Sequence, residues 1–338
     1  MKILVIKEPR VSDDIEKSWS DFVSRHPSGN IFQGKEFFSL CCHTPGYRPV
    51  AVMALDEKEN VCGVMQGVII SENGVFLRHL SARAIAWGGP LGLDDDTIAL
   101  LVKEYEKALG KDVIYSQVRP VGREIGADNL MASGFKREPH LDIFNDLSAG
   151  EDVMLGKVHK ERKRNIGRAR NKGVIVRLAE NESETEAAVT QILKLYATIG
   201  LPAPPRELLT GAKEAMGEAV KIFIALYDNK IIGSRFVLCY RDMVYDWYAG
   251  SDPAYHNKYV NDLLPWEVML WASRNGFRIF DFGGAGDPRE EYGVRDFKLR
   301  YGGVLEEVSR FTHVHRPLLM FIGERGIRLY GLIKKLFR

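Results

Sequence analysis

Two stretches of the chain read as copies of one another: residues 52–70, "VMALDEKENVCGVMQGVII", and residues 223–240, "FIALYDNKIIGSRFVLCY". In each, an apolar run reaches a short polar turn, "DEKEN" or "DNK", and a second apolar run returns, the pattern of a β-hairpin. Ala54 and Leu55 align with Ala225 and Leu226, and Gly63 aligns with Gly233 after a one-residue gap in the turn. The segments that follow match in order. After the first hairpin come a strand-like "GVFLRHL", a helix-like "TIALLVKEYEKAL" and a strand-like "DVIYSQVRP"; after the second come "MVYDWYAGS", "NDLLPWEVMLWASRNG" and "RIFDFGG". Leu263, Leu264, Trp266, Leu270 and Trp271 place most apolar side chains of that last helix on one wide face. A helix precedes each copy, in "DIEKSWSDFVSRHP" and in "ETEAAVTQILKLYATIG". A helix, an antiparallel meander and a βαβ-like return, occurring twice, predict an α+β protein of two like domains. The expected boundaries are 1–150, 151–315 and a tail at 316–338. "HLDIFNDL" joins the halves as a strand that suits the first sheet.

A length of 338 residues also favours two domains, and 45% hydrophobic with 27% charged residues excludes a disordered chain. Apolar runs such as "PVAVMAL" and "GVMQGVII" fall well short of the roughly 20 residues that cross a bilayer. The opening "MKILVIKEPR" lacks the long apolar region and small-residue cleavage site of a signal peptide, so a cytoplasmic protein is expected. Cys41, Cys42, Cys62 and Cys239 show no CxxC spacing, which points to reduced thiols rather than a zinc site or disulfide frame. The scattered histidines, including His256 and His313, read as structural or surface residues. No metal or cofactor is expected.

The net charge of +2 hides a strong asymmetry. Between Lys157 and Arg177, "KVHKERKRNIGRARNKGVIVR" sets nine basic residues against the single acid Glu161. Lys157, Lys160, Arg164 and Arg168 recur at helical spacing, so they line one side of a helix. That face is either simply solvated or turned to a row of phosphates. The tail, "RPLLMFIGERGIRLYGLIKKLFR", mixes basic and apolar residues in a pattern that suits a terminal helix packed on its domain or a segment lying on an anionic membrane.

Five motifs of the second half occur in a familiar order: the basic opening at 159–177, "WYAGS" at 247–251, "LLPWEVMLWASRNG" at 263–276, "FDFGG" at 280–284 and "YGVRDFKLRYGG" at 292–303. Together they resemble the FemAB branch of the GNAT acyltransferase superfamily, whose members carry two GNAT-like domains in tandem and attach amino acids to peptidoglycan precursors. "NIFQGKEFF" and "AWGGPLG" extend the resemblance more weakly into the first half, with Phe37 where the family usually has tryptophan. The resemblance implies that Lys298 stabilises negative charge at the acyl-transfer centre, an electrostatic role worth several powers of ten in rate. It also implies that Asp281 holds the active loop or contacts substrate and that Gly283 and Gly284 let backbone approach a ligand. Tyr248 and Arg295, within the matching motifs, complete the implied substrate site. Lys160, Arg164 and Arg168 become the residues that bind donor phosphates.

A GNAT that uses acyl-CoA holds the pyrophosphate on a glycine-rich loop before a helix, yet no glycine lies between Ser251 and Pro265. The resemblance therefore favours aminoacyl-tRNA as donor, with an amine of the acceptor attacking the activated ester and no enzyme nucleophile required. Asp281, Tyr248 and water all remain open as the base. The long helical arm of staphylococcal-type members is missing, and "GLPAPPRELL" at 200–209 disturbs the place of a substrate-binding arginine, with Arg206 as its nearest counterpart. The expected activity is aminoacyl transfer to an amine of a peptidoglycan or lipid-linked envelope precursor, by a cytoplasmic protein, with contact to the inner membrane surface if the tail lies on it rather than on its domain. The alternatives are an acyl-CoA-dependent N-acyltransferase acting on an amino sugar or lipid-linked glycan, and a non-catalytic RNA- or membrane-binding protein.

Overall fold

The computed structural model describes residues 1–71, 81–323 and 325. The chain opens with β1 (Lys2–Ile6), α1 (Asp13–Arg25), α2 (Lys35–Cys42), β2 (Tyr47–Leu55), β3 (Val61–Ile70), β4 (Arg83–Trp87) and β5 (Leu91–Gly92). It continues through α3 (Asp95–Leu109), β6 (Tyr115–Arg119), α4 (Ala127–Ala132), β7 (Lys136–Glu138), β8 (Leu141–Asp146), α5 (Glu151–Lys157), α6 (Lys160–Asn171) and β9 (Ile175–Leu178). Next come α7 (Glu182–Ile199), α8 (Arg206–Thr210), α9 (Ala212–Met216), β10 (Val220–Tyr227), β11 (Lys230–Tyr240) and β12 (Met243–Ser251). Last are α10 (Val260–Arg274), β13 (Ile279–Gly284), α11 (Gly293–Leu299), β14 (Val304–Glu307) and β15 (Arg310–Val314).

Two compact units result, one of Met1–Pro139 with Val308 onward, the other of His140–Glu307. The first holds a sheet of order β1-β2-β3-β4-β6-β15-β7 with β5 on β3; the second holds β14-β8-β13-β12-β11-β10-β9. Each contains the expected antiparallel hairpin, crossover helix and returning parallel strand; the third strand of the first unit is β4, at Arg83–Trp87, a segment not read as a strand from the sequence.

The duplication is visible residue by residue. Ala54 pairs with Gly63 and Ala225 with Gly233, and in both hairpins the register breaks immediately after the alanine. A Cβ on Gly63 would lie 2.7 Å from Thr97 Cγ2 and 2.9 Å from Leu101 Cδ1 of α3, and one on Gly233 would overlap Val260 Cγ1 of α10. Both glycines thus let the crossover helix lie directly on the hairpin.

Three expectations change. Residues 141–146, assigned to the first domain, form β8 and pair with β13 and β14 in the second sheet. That position buries Leu141 and Ile143 in the second core beside Phe280 and Phe282. Conversely β15, expected inside the second domain, pairs with β6 and β7 and buries Phe311 against the first core. Only Val308 and Ser309 separate β14 from β15, so no composition shift marks the crossing. Finally, α10 buries residues all round, including Leu263, Trp266, Val268, Met269 and Leu270, rather than on one face. It packs against β10 and β11 on one side and α6 on the other.

The strand read in "GVFLRHL" and the tail from 326 onward lie outside the described residues. No helix among the described residues is long and apolar enough to cross a membrane.

Candidate active site

In the second unit the parallel strands β12 and β13 pair only through Met243–Ile279, Val244–Phe280 and Tyr245–Asp281. Beyond that point β12 runs on to Ser251 while β13 turns its other edge to β8, reaching Asp142 from Gly284. The two strands therefore part, and the backbone groups of β12 past Tyr245 no longer face a β13 partner. Opposite the parting, the register of β11 and β12 breaks between Phe236 and Val237, skipping Trp247. A bulge of this kind re-aims side chains locally. The corresponding strands of the first unit, β4 and β6, pair without a break from Arg83–Tyr115 to Trp87–Arg119.

Where β13 leaves β12, its carbonyls need donors, and Lys298 supplies them. Its Nζ donates to Phe282 O at 2.7 Å, Gly284 O at 2.8 Å and Gly283 O at 3.3 Å. An ammonium has three N–H donors, so all three are engaged. Arg295 acts on the next turn, donating from Nε to Ala285 O at 2.7 Å and from Nη2 to Asp287 O. Asp281 Oδ1 accepts the Gly283 N–H at 2.6 Å, closing a two-residue side-chain turn, and Gly283 adopts φ +67°, the left-handed region that favours glycine. Asp281 Oδ2 is buried with no partner among the described residues. Asp281, Gly283, Gly284, Arg295 and Lys298 thus come together at one strand end, with both cations directed at backbone.

Charge accumulates around this point. Burial pushes the Asp281 carboxyl well above its ordinary range, reinforced by Asp142 and opposed by the Gly283 N–H and Lys298. Burial lowers the Lys298 ammonium, while Asp246, Asp281 and Asp142 hold it up. Asp246 forms a nearly buried ion pair with Arg235, through Oδ2 and Nη1, and its Oδ1 has no partner among the described residues. Tyr196, its hydroxyl raised chiefly by burial and then by Asp246, stands by this pair. It packs on Tyr248 with ring centroids 6.2 Å apart, and Trp247 packs on Tyr248 as well, at 5.0 Å.

The basic helix α6 divides by face. Lys160, Arg164 and Arg168 are exposed, as is Lys157 before them. Arg162 instead is buried with Ile166 and Ala169, four and seven residues on. Its Nη1 pairs with Asp262 Oδ1, its Nη2 donates to Phe297 O at 3.3 Å, and its guanidinium lies over the rings of Phe297 and Tyr301. Tyr301 closes the link, its hydroxyl donating to Asn261 O at 2.7 Å. That carbonyl precedes Pro265 by four residues within α10, so the proline has removed its helical donor. Arg162, Asp262 and Tyr301 therefore tie α6, the start of α10 and the Lys298-bearing helix α11 together. The sequence offered one signal for Arg162: its i, i+4, i+7 spacing with Ile166 and Ala169.

Near the start of α10 lies a cavity of about 350 Å³, lined by Arg235, Gly250, Ser251, Tyr255, Tyr259 and Asn261 among others. The helix begins there without a side-chain cap, after Tyr259 at φ +57°. Arg168 and Lys172 place their cationic heads 5.7 and 5.5 Å from the Tyr259 ring, so the exposed basic face reaches the cavity rim.

Residues 156–298 match the family model described as an acetyltransferase (GNAT) domain. No curated protein matches the sequence. Among solved structures, FemX superposes with a TM-score of 0.69 at 15% identity, over 95% of this chain and 100% of that one. L-PGS from Bacillus licheniformis gives 0.60 at 15% identity, over 94% and 97%. A tandem GNAT protein from the clavulanic acid biosynthesis pathway gives 0.57 at 12%, over 93% and 99%. The chain has the tandem GNAT fold along nearly its whole length, and its second unit carries the match to the acetyltransferase (GNAT) domain model. The likeness to FemAB-type proteins, first carried by motifs, extends to the fold.

Proposed function

We propose that the protein is an aminoacyltransferase whose second unit passes an aminoacyl group from aminoacyl-tRNA to an amine of a peptidoglycan or lipid-linked envelope precursor. The observation that carries this reading is the parting of β12 and β13 in the second unit, with Lys298 and three aspartates at its apex. The β12 edge beyond Tyr245 offers backbone hydrogen bonds to an extended acyl group, in the manner of an added strand. Asp142 and Asp246 balance Lys298 and Arg235, and Asp246 Oδ1 is buried with no partner among the described residues. An α-ammonium on the transferred group can donate to that oxygen, whereas an acetyl group gains nothing, and this favours an aminoacyl donor. Asp281, with its raised proton affinity, suits the removal of a proton from the attacking amine. Lys298 turns one N–H from Gly283 O to the oxyanion of the tetrahedral intermediate. Lys160, Arg164 and Arg168 hold donor phosphates on the strip that ends at the cavity.

The test is a transfer assay with radiolabelled aminoacyl-tRNA and, separately, labelled acetyl-CoA, supplied with muramyl-peptide precursors and lipid vesicles as acceptors. Amide product from aminoacyl-tRNA alone, reduced by roughly 10²- to 10³-fold in Lys298→Met, supports the proposal. Product from acetyl-CoA alone sinks it and assigns the site to acyl-CoA chemistry.

A further inference from the structure

In the first unit, away from the motifs discussed above, a carboxylate and two imidazoles converge. Glu106 lies on α3, His313 on β15, and His315 two residues further along the same extended segment. Alternate residues of an extended segment share a face, and Phe311, next in that series, is buried in the core with Leu101, Val102 and Tyr105 of α3. The two histidines are thereby aimed at the C-terminal half of α3. His313 Nδ1 is 2.7 Å from Glu106 Oε2, and His315 Nε2 is 3.5 Å from the same oxygen. Ser116, opposite His313 on β6, places its Oγ 3.0 Å from His315 Nε2 and 2.8 Å from Glu106 Oε1. The three ligand atoms lie within 4.8 Å of one another.

We infer that Glu106, His313 and His315 form a binding site for a divalent transition-metal ion of the zinc class. Two imidazoles and one carboxylate are a donor set that suits zinc, cobalt or nickel and is poor for magnesium or calcium. Donors held about 2.0–2.2 Å from a tetrahedral ion sit roughly 3.3–3.5 Å from one another. The His315–Glu106 separation already has that value, and the His313–Glu106 contact widens by roughly 0.6 Å as the ion takes the place of a hydrogen-bonded proton. Ser116 Oγ or water takes the fourth position. The side chains keep between 14% and 31% of their surface accessible, enough for an ion to enter. Ligands 207 residues apart in the chain would be joined, fastening the returning strand β15 to α3. Cysteine spacing carries no trace of this site, because its carboxylate, Glu106, lies so far along the chain from the His-x-His pair.

The test is titration of the full-length protein, stripped with a chelator, with Co²⁺ alone and then Zn²⁺ in competition. The expected result is one Co²⁺ per chain with the visible absorption of a tetrahedral N/O site, displacement by Zn²⁺, and a higher Tm in the metal-loaded protein. His313→Gln and His315→Gln each weaken binding at least tenfold while keeping the native circular dichroism spectrum. Should either variant fail to fold, Glu106→Gln supplies the same comparison. Absence of stoichiometric Co²⁺ binding, or equal binding by wild type and folded variants, overturns the inference and leaves the cluster a hydrogen-bond network.

Discussion

Removing one hydroxyl, in Tyr301→Phe, asks whether α10 depends on the segment that carries Lys298. Pro265 deprives the Asn261 carbonyl of its helical donor, and Tyr301 Oη replaces that donor at 2.7 Å. The Asp262 carbonyl, 3.0 Å from the same hydroxyl, lies four residues before Trp266, which has an N–H to give. The hydroxyl therefore matters chiefly to Asn261. Tyr301 is only 1% exposed, so water does not easily take the place of the lost oxygen. Losing a hydrogen bond and orphaning its acceptor costs about 1–3 kcal/mol. Asn261 itself is exposed, which lets water reach its carbonyl in part and sets the expectation near 1.5 kcal/mol. Pro265→Ala returns an N–H four residues after Asn261, so Tyr301→Phe in that background costs about 0.5 kcal/mol, a coupling of about 1 kcal/mol. Urea unfolding of the four proteins, followed by tryptophan fluorescence, measures the cycle, with Trp266 and Trp271 on α10 itself. Equal costs of Tyr301→Phe in both backgrounds would refute the account of the proline defect.

Arg162→Ala leaves the Asp262 carboxylate buried with Asn165 Nδ2, at 3.2 Å, as its remaining side-chain donor, and is expected to cost about 3 kcal/mol, the low end for a broken buried pair. Arg162→Met with Asp262→Leu recovers most of that loss in the same urea assay; a single-mutant loss under about 1 kcal/mol would mean the pair is solvated. Asp281→Asn changes the pH dependence. Because the folded carboxyl binds its proton more tightly than the unfolded one, wild-type stability falls as pH rises from the unfolded pKa of about 3.8 toward the raised folded value. The asparagine still accepts the Gly283 N–H and lacks that slope, so the stability curves of the two proteins must diverge across this window; parallel curves would show Asp281 to be solvated. The triple change of Lys160, Arg164 and Arg168 to alanine is expected to make the salt dependence of tRNA binding shallower by roughly 2–3 in log–log slope, with under about 0.5 kcal/mol lost per site; an unchanged slope would move the RNA elsewhere.

What the sequence disclosed and what it withheld separate along a physical line. Ala54–Gly63 and Ala225–Gly233 were legible because a hairpin is local: its turn, its alternation and its small residues lie within twenty positions of each other. The exchange of β8 and β15 between sheets was not, since strand membership is decided by which distant edge is open, and neither segment carries a mark of its destination. The same division runs through the candidate site. Asp281, Gly283, Gly284, Arg295 and Lys298 were found together because they share one 18-residue stretch around a strand end. Arg235, Asp246 and Asp142, which set the charge of that place, come from three other strands and were missed. Arg162 shows the limit of counting charge. Nine basic residues in a run suggested one electrostatic surface, yet the one that turned inward does so because it occupies the stripe of Ile166 and Ala169. Its guanidinium then organises Phe297 and Tyr301, one on each side of Lys298 in sequence. Under the proposed function, the helix that would hold an RNA on its outside also holds the segment of Lys298 from its inside, so that mutations of the two faces must differ in kind, one in salt slope and the other in folding.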